Sequence, residues 1–384
     1  MKKIYNLSKP YLSNCEIIQV SKVLKSGWIT SGPVTIKLEK IIKKKINTRN
    51  VIAVNSATSG IFACLIACGA KKGDEVITPS NTYISTINTL YNLGLKIVLC
   101  DVNLQTGNVD EKNFQEKITK KTKFFIPIHN GGNPLNLSKL IEISKKNKIK
   151  MIDDAATAFG AKINDKFIGS FTYPVTVFSL HANKVITSGE GGFICTNNDA
   201  LAKKIRLIIN SGLSKDTWNR KKTKNYRILN AIVPGYKFNL NDILSSIAIE
   251  QVKKIGLILN YRAKLKKRYL KNLNSLIVNQ KIYFPQINKN YKSALYNLPI
   301  IINKNQKIRD KLSFFLQKRN IYTTIHYTPA HKHNFYKKKF IKNNLKNTEA
   351  LFKTSLSLPF HNKLSFHDVD YICKQIIKFF NEHK

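Results

Sequence analysis

The stretch FSLHANKVITSGEGGF, residues 178–193, decides how this chain reads. A short apolar strand is predicted over Val175 to Leu180, and Lys184 sits just past it in a polar turn. Glu190-Gly191-Gly192 follows, with a second strand predicted over Phe193 to Thr196. That spacing holds one lysine on a strand–loop–strand frame. Gly191 and Gly192 lack a Cβ, so backbone there can approach a bound group closely. A fixed lysine amine in apolar surroundings suits covalent chemistry on a carbonyl, because desolvation favours the neutral, nucleophilic amine. Most lysines are solvated surface residues, so Lys184 stands out only through its neighbours.

Those neighbours begin upstream. Ile149 to Ile152 reads as a strand ending in Asp153-Asp154-Ala155-Ala156. Carboxylates at the carboxyl edge of a parallel strand lie where open α/β sheets bind ligands. One of them can hold a ring nitrogen protonated, or the pair can simply cap the next segment. Val51 to Val54 is a further strand, followed by Asn55-Ser56-Ala57-Thr58-Ser59-Gly60 and a helix from Ile61 to about Cys68. Strand, small polar turn and helix N-terminus make an anion site, or a plain Ser/Thr cap. Glu75 to Thr78 is a strand, broken by Pro79, with Tyr83 near the start of the next helix. That ring can stack on a planar ligand or be a half-buried core residue. Leu95 to Cys100 and Phe124 to Ile128 are strands, and His129 after the latter reads as structural.

Strands alternating with helices over residues 51–200 predict a mostly parallel sheet. No G-x-G-x-x-G follows any strand, which disfavours a dinucleotide fold. At the amino end, Ser13 and Glu16 have capping-box spacing before a helix bearing Ile17, Val20 and Leu24. Trp28, in the Gly-bracketed loop that follows, is structural or lines a pocket. A long helix is predicted from near Asn241 to about Leu273, with a possible break at Gly256. Beyond it the pattern changes: a strand over Leu295 to Ile302, a helix over Gln306 to Lys318, a strand over Ile321 to Tyr327 and a last helix from Ser365. The expected division is residues 1–245 and 246–384, with the N-terminal segment free to pack on the smaller unit.

The 384 residues carry a formal net charge of +43 and 43% hydrophobic residues, which fits a globular protein. The lysines are spread along the chain, and no zinc-finger, homeodomain or RNA-binding signature accompanies them. Compositional drift therefore explains the charge better than a nucleic-acid partner, although an anionic substrate would still benefit from the field. The six cysteines form no C-x-x-C pair and no metal-ligand spacing. The N-terminus lacks an apolar leader, and no apolar stretch is long enough to span a bilayer. The expectation is a cytoplasmic protein with no membrane partner.

Six runs occur in one order over nearly the whole chain: SGWITSGP (26–33), NSATSG (55–60), GDEVITPSNTY (73–83), DDAATAFGA (153–161), FSLHANKVITSGEGG (178–192) and PGYKFNLND (234–242). Together they resemble the DegT-type (DegT/DnrJ/StrS) sugar aminotransferases, which are pyridoxal 5'-phosphate enzymes of aspartate aminotransferase fold type I. The resemblance implies a large α/β domain with a mostly parallel sheet and a smaller α+β C-terminal domain. It assigns Lys184 to the bond with the cofactor's aldehyde and to proton transfer, and Asp154 to the pyridine nitrogen. Thr58, Ser59 and Ser179 match phosphate ligands, and Tyr83 the aromatic that stacks on the ring. Lys237 and Asn239 match a segment reaching the neighbouring subunit's site, implying a homodimer.

Thr157 stands where the family usually has His or Gln near the cofactor's phenolic oxygen. The spacing from Asp154 to Lys184 is longer than usual, with Pro174 in the extra stretch. His129-Asn130-Gly131-Gly132 departs from a commoner aromatic-containing version. The first run and the Trp218 to Asp242 stretch, which carries Arg220 and Arg227, look most like the branch that aminates C4 of UDP-linked 4-keto sugars. The implied substrates are a nucleotide sugar and an amino-acid donor such as glutamate, in surface-glycan or lipid-sugar synthesis. A 3-keto sugar, a lyase reaction, or a nucleic-acid-binding role on a retired enzyme fold are the alternatives. An intact Lys184, Asp154 and Ser179 set argues against the last.

Overall fold

The computed structural model describes residues 3–171, 173–213, 230–303, 305–341 and 344–383. Trp218, Arg220 and Arg227 lie outside them. The first nine strands are β1 (Asn50–Val54), β2 (Glu75–Pro79), β3 (Lys96–Cys100), β4 (Thr122–Phe125), β5 (Lys150–Asp154), β6 (Lys162–Ile163), β7 (Lys166–Phe167), β8 (Val175–Ser179) and β9 (Gly192–Thr196). Seven of them form one sheet in the order β1-β9-β8-β5-β4-β2-β3. The run from β3 to β8 is parallel, and β9 alone pairs antiparallel with both its neighbours.

Every residue of β2, β8 and β9 is buried, as a sheet covered by helices on both faces requires. The period of two sorts the side chains. Phe178 and Phe193 join the core on one face, with Leu38, Ile42 and Ile255. Val177 and Ile194 join the core on the other, with Ile61, Leu65 and Ile205. This two-sided packing fixes β8 and β9, and hence the turn between them that carries Lys184.

The carboxyl-terminal part adds β10 (Ile282–Tyr283), β11 (Tyr291–Lys292), β12 (Leu298–Ile302) and β13 (Ser355–Leu358). β12 pairs antiparallel with β10 and β13, and β11 joins β6. Helix Asp242–Asn272 links the two parts. Its Ala248, Val252 and Ile255 pack in the first core, and its Leu265 and Tyr269 in the core of the carboxyl-terminal part. The N-terminal segment lies on that part too: Tyr5 bridges Ile321, and Phe360 N–H donates to the Leu7 carbonyl at 3.0 Å.

Several expectations need correction. The strand predicted over Leu295 to Ile302 begins at Leu298, because Leu295 is held at φ 54°, and the helix predicted from Ile61 begins at Ala57, where Ser56 caps it. Helix Asp242–Asn272 does not break at Gly256, because that glycine faces open space while Ile255 and Ile258 on either side are buried. Ile321 to Tyr327 forms no regular strand; it makes single bridges at Ile321 and Thr324 and bends at His326. The strand predicted over Phe124 to Ile128 ends at Phe125, although Ile126 N–H still donates to the Ile77 carbonyl.

Two tertiary contacts secure the elements that carry the site. Helix Pro33–Ile46 begins at Gly32, which has no capping side chain. The fully buried Asp242 does that work from 210 residues away: it accepts from Gly32 N–H at 2.8 Å, Val34 N–H at 3.0 Å, Thr35 N–H at 2.9 Å and Thr35 Oγ1 at 2.7 Å. Asp242→Ala takes this acceptor from the Gly32, Val34 and Thr35 N–H groups, while the Thr35 hydroxyl keeps Ser245 Oγ at 2.8 Å, and should cost about 2–4 kcal/mol, read as a lower denaturation midpoint at unchanged m-value.

Glu16 fastens helix Asn14–Lys25 to the long helix. It accepts from Gln251 Nε2 at 2.6 Å and Lys254 Nζ at 2.7 Å. Burial alone would raise this carboxyl, but hydrogen bonds from Lys254, Gln251 and Ser13 outweigh it and hold it at about 2. A depressed carboxyl stabilises the fold above its unfolded value and loses that contribution as pH falls through the folded one. Between pH about 4.5 and about 2 the chain should therefore lose roughly 3 kcal/mol that Glu16→Gln does not lose. Stability against pH for the two proteins checks this.

Candidate active site

The carboxyl ends of β5 and β8, the amino end of helix Ala57–Ala67 and a wall from the carboxyl-terminal part enclose a cavity of about 620 Å³. Lys184, Asp154, Thr58, Tyr83, Thr157 and Ser179 all line it. The structure thus brings six residues from four separate runs of sequence to one place. Ser59, Lys237 and Asn239 are not among the lining residues. Ser59 lies behind the turn, its hydroxyl bonded to Asn55 Oδ1 and, at 2.7 Å, to Ser56 Oγ. Asn239 bridges β1 at Val54, and its buried Oδ1 has no hydrogen-bond partner among the described residues.

Ser56 is the true cap of helix Ala57–Ala67: its Oγ accepts from Ser59 N–H at 3.1 Å. The first-turn N–H groups of Ala57 and Thr58 have no intrahelical acceptor, and both residues line the cavity. Ser179, at the end of β8, accepts from His181 N–H at 3.2 Å, which leaves its hydroxyl proton available. Helix N-terminus and serine hydroxyl together make a seat for a dianionic phosphate. Gly192 makes this seat compact. A Cβ there would lie 2.5 Å from the Phe178 carbonyl and 2.9 Å from Ala57 N. Its missing side chain thus serves the approach of β9 to the helix start; Gly191, not Gly192, lines the cavity.

Asp154 is buried at the other end. Its Oδ1 accepts from Ala156 N–H at 3.1 Å and its Oδ2 from Thr86 Oγ1 at 3.1 Å. Desolvation pushes its carboxyl above the ordinary range, and those two bonds and the Lys184 charge oppose the rise only in part. A carboxylate in this position calls for a cation beside it, which is what a protonated pyridine nitrogen supplies. Asp153 points away, accepting from Thr176 Oγ1 at 3.2 Å. His129 Nε2 lies 3.0 Å from Asp153 Oδ1, at ion-pair distance but not aligned as a hydrogen bond, and both side chains are buried. His129 Nδ1 accepts from Leu135 N–H at 3.2 Å.

Thr157 donates its hydroxyl proton to the His129 carbonyl at 2.6 Å. That proton is spent inside the protein, so the side chain can offer a bound group only an oxygen lone pair. Tyr83 precedes helix Ile84–Asn92 and is 61% exposed, with an edge contact to Tyr327 at 5.8 Å. Its ring is open to a planar ligand. Trp28 is not among the lining residues; its Nε1 donates to the Ser31 carbonyl at 3.3 Å, which favours the structural reading.

Lys184 is half-buried, and its Nζ stands 4.6 Å from the centre of the Tyr296 ring. Tyr296, His326 and Tyr327 form the wall that sequence reasoning missed. His326 Nδ1 is 2.8 Å from Ser357 Oγ, and burial, helped by the Lys184 charge, lowers its imidazole to about 4. The signal available was the cluster His326-Tyr327 and His331 within seven residues, which reads as an ordinary strand and loop. His331 instead bonds Ser80 Oγ through Nδ1 at 2.8 Å and ties this wall to the loop after β2.

Among the described residues no cluster of His, Cys, Asp or Glu could hold a metal ion, and no helix is long and apolar enough to cross a membrane. The residues fit pyridoxal phosphate: an anion seat, a buried carboxylate lacking a cation, an exposed ring and one lysine amine face the same space.

Comparisons agree with this geometry. The model of the DegT/DnrJ/EryC1/StrS aminotransferase family matches residues 10–377. An uncharacterized protein of Methanocaldococcus jannaschii, MJ1066, is 34% identical over 383 residues, covering 98% of this chain and 97% of that protein. PseC of Helicobacter pylori, an aminotransferase involved in the biosynthesis of pseudoaminic acid, superposes with a TM-score of 0.91 at 26% identity, covering 99% of this chain and 100% of that one. Spr1654 of Streptococcus pneumoniae, in its PMP form, gives 0.91 at 26% identity over 98% of this chain and 99% of that one. The chain belongs to the DegT/DnrJ/EryC1/StrS aminotransferase family, the pyridoxal-phosphate-dependent sugar aminotransferases of fold type I.

Proposed function

We propose that the chain moves an amino group from an amino acid such as glutamate to the C4 ketone of a nucleotide-linked sugar, in the cytoplasm, for surface-glycan or lipid-sugar biosynthesis. The observation that carries the reading is one cavity holding both the Lys184 amine and the Asp154 carboxylate, with a phosphate seat between the first turn of helix Ala57–Ala67 and Ser179. Bound pyridoxal phosphate supplies an aldehyde for the amine and a ring that withdraws electrons. Thr58, Ser179 and the first-turn N–H groups would hold its phosphate, Tyr83 would offer a ring to stack on, and Asp154 would keep its nitrogen cationic. Lys184 takes the proton from the donor's α-carbon and delivers one to the former ketone carbon of the sugar. The chain's net charge of +43 favours approach of an anionic nucleotide sugar.

The working unit in this reading is a homodimer with shared sites. Tyr236, in the segment that leads to Asn239, is 41% exposed, and its ring stacks on Phe238 at 5.0 Å. An exposed ring there suits coverage by a second copy. The experiment is amino transfer from ¹⁵N-glutamate to a panel of 4-keto and 3-keto nucleotide sugars. The expected product carries ¹⁵N at C4. Label found only at C3, or released as ammonium, contradicts the substrate assignment.

A further inference from the structure

Building on the amino-transfer reading, we propose that Tyr296 is a positioning residue, whose ring face seats the Lys184 amine whenever that amine is not bonded to a carbonyl. A lysine that moves protons must be released and yet stay within reach of the reacting carbon. Its four-carbon stem is flexible, so something must restrain the free amine. Among the described residues no carboxylate lies within ion-pair distance of Lys184 Nζ and no side-chain hydrogen bond holds it. What faces it is the Tyr296 ring, 4.6 Å away and itself buried. An ammonium over an aromatic face is attracted by the ring quadrupole, more so where water is excluded. A carboxylate in this place would hold the amine charged and compete with the carbonyl it must attack. A ring face holds it more weakly and leaves it free to depart.

The ring is fixed for the task. Arg262, fully enclosed on the long helix, donates from one terminal nitrogen to the Leu295 carbonyl at 2.9 Å and the Tyr296 carbonyl at 3.2 Å, and from Nε to Asn362 Oδ1 at 2.9 Å. Burial lowers this guanidinium to about 10, so it stays charged at neutral pH and clamps the segment with carbonyls alone. Leu295 is held at φ 54°, a left-handed conformation that a branched residue avoids unless its surroundings impose it. On the opposite side, a Cβ on Gly132 would lie 3.3 Å from that of Tyr296 and 2.8 Å from the Thr157 carbonyl. The two glycines after Asn130 therefore let the Tyr296 segment close against the cavity. His326 meets the ring edge at 5.8 Å and, held near 4, brings no competing charge at neutral pH.

The test begins on cofactor-free protein, methylated on its lysines with ¹³C-formaldehyde and a borane reductant. The resonance missing from Lys184→Arg belongs to Lys184. It should lie upfield of the surface lysines through the ring current of Tyr296, remain there in Tyr296→Phe and rejoin the others in Tyr296→Leu. On cofactor-loaded enzyme, Tyr296→Leu should lose about 10- to 100-fold in kcat with KM for both substrates nearly unchanged, while Tyr296→Phe stays close to the natural chain. A Lys184 resonance among those of the surface lysines overturns the proposal, and so does an equal loss of kcat in the Phe and Leu variants, which would place the role on the hydroxyl. Should Tyr296→Leu fail to fold, the resonance of the natural chain still decides. An upfield resonance in a chain that binds no pyridoxal phosphate would support the seat and refute the amino-transfer reading instead.

Discussion

Lys184→Ala should abolish amino transfer, with a loss of about 10⁴-fold or more, while the protein stays folded. The size follows from the two roles the site gives this amine. It is the nucleophile for the cofactor's aldehyde and the base and acid for the proton that moves, a proton-transfer role worth about 10²–10⁴-fold by itself. Among the described residues no other lysine lines the cavity, so none of them can substitute. Lys184 is half-buried and contributes to neither strand, so stability should change little. The cofactor's phosphate should still bind through Ser179 and the first turn of helix Ala57–Ala67. Measured side by side, the variant should keep its unfolding midpoint and lose turnover. Transfer at more than about 1% of the natural rate would contradict this assignment.

Asp154→Asn separates catalysis from stability. Burial raises the Asp154 carboxyl in the cofactor-free chain. A raised carboxyl stabilises the fold below its unfolded value and loses that contribution as pH rises through the folded one. The cofactor-free Asn variant should therefore be as stable as the natural chain or more so at neutral pH, keeping its hydrogen bond with Thr86 or Ala156. Transfer should fall by about 10²–10³-fold, because the neutral amide no longer holds the ring nitrogen cationic. Thermal unfolding of the cofactor-free proteins and single-turnover rates of the loaded ones give the two readouts. A variant both less stable and equally active would reverse the assignment.

The sheet was legible because its strands are short apolar runs between turn residues, and burial on both faces leaves nothing else for such runs to do. The lysine turn was legible for the same reason: β8 and β9 bracket it. Residues whose role depends on remote contacts were not. Helix Lys346–Thr354 went unread because its start is held by Asp101, which accepts from Thr348 N–H at 2.7 Å across 247 residues. Ser59 and Ser56 look alike in sequence, and only the placing of the helix start makes Ser56 the cap and Ser59 its partner. Thr157 read as a shorter substitute for His or Gln; the structure adds that its proton goes to the His129 carbonyl. Tyr296, His326 and Tyr327 line one cavity with Lys184 only because the carboxyl-terminal part folds over the carboxyl ends of β5 and β8, a juxtaposition no local pattern encodes.

The most direct test of the account is chemical. Purified protein incubated with pyridoxal phosphate, reduced with borohydride and digested should yield one peptide carrying the phosphopyridoxyl mass, and that peptide should contain Lys184. The absence of any such peptide, or the label on a different lysine, would contradict the assignment of this cavity to amino transfer.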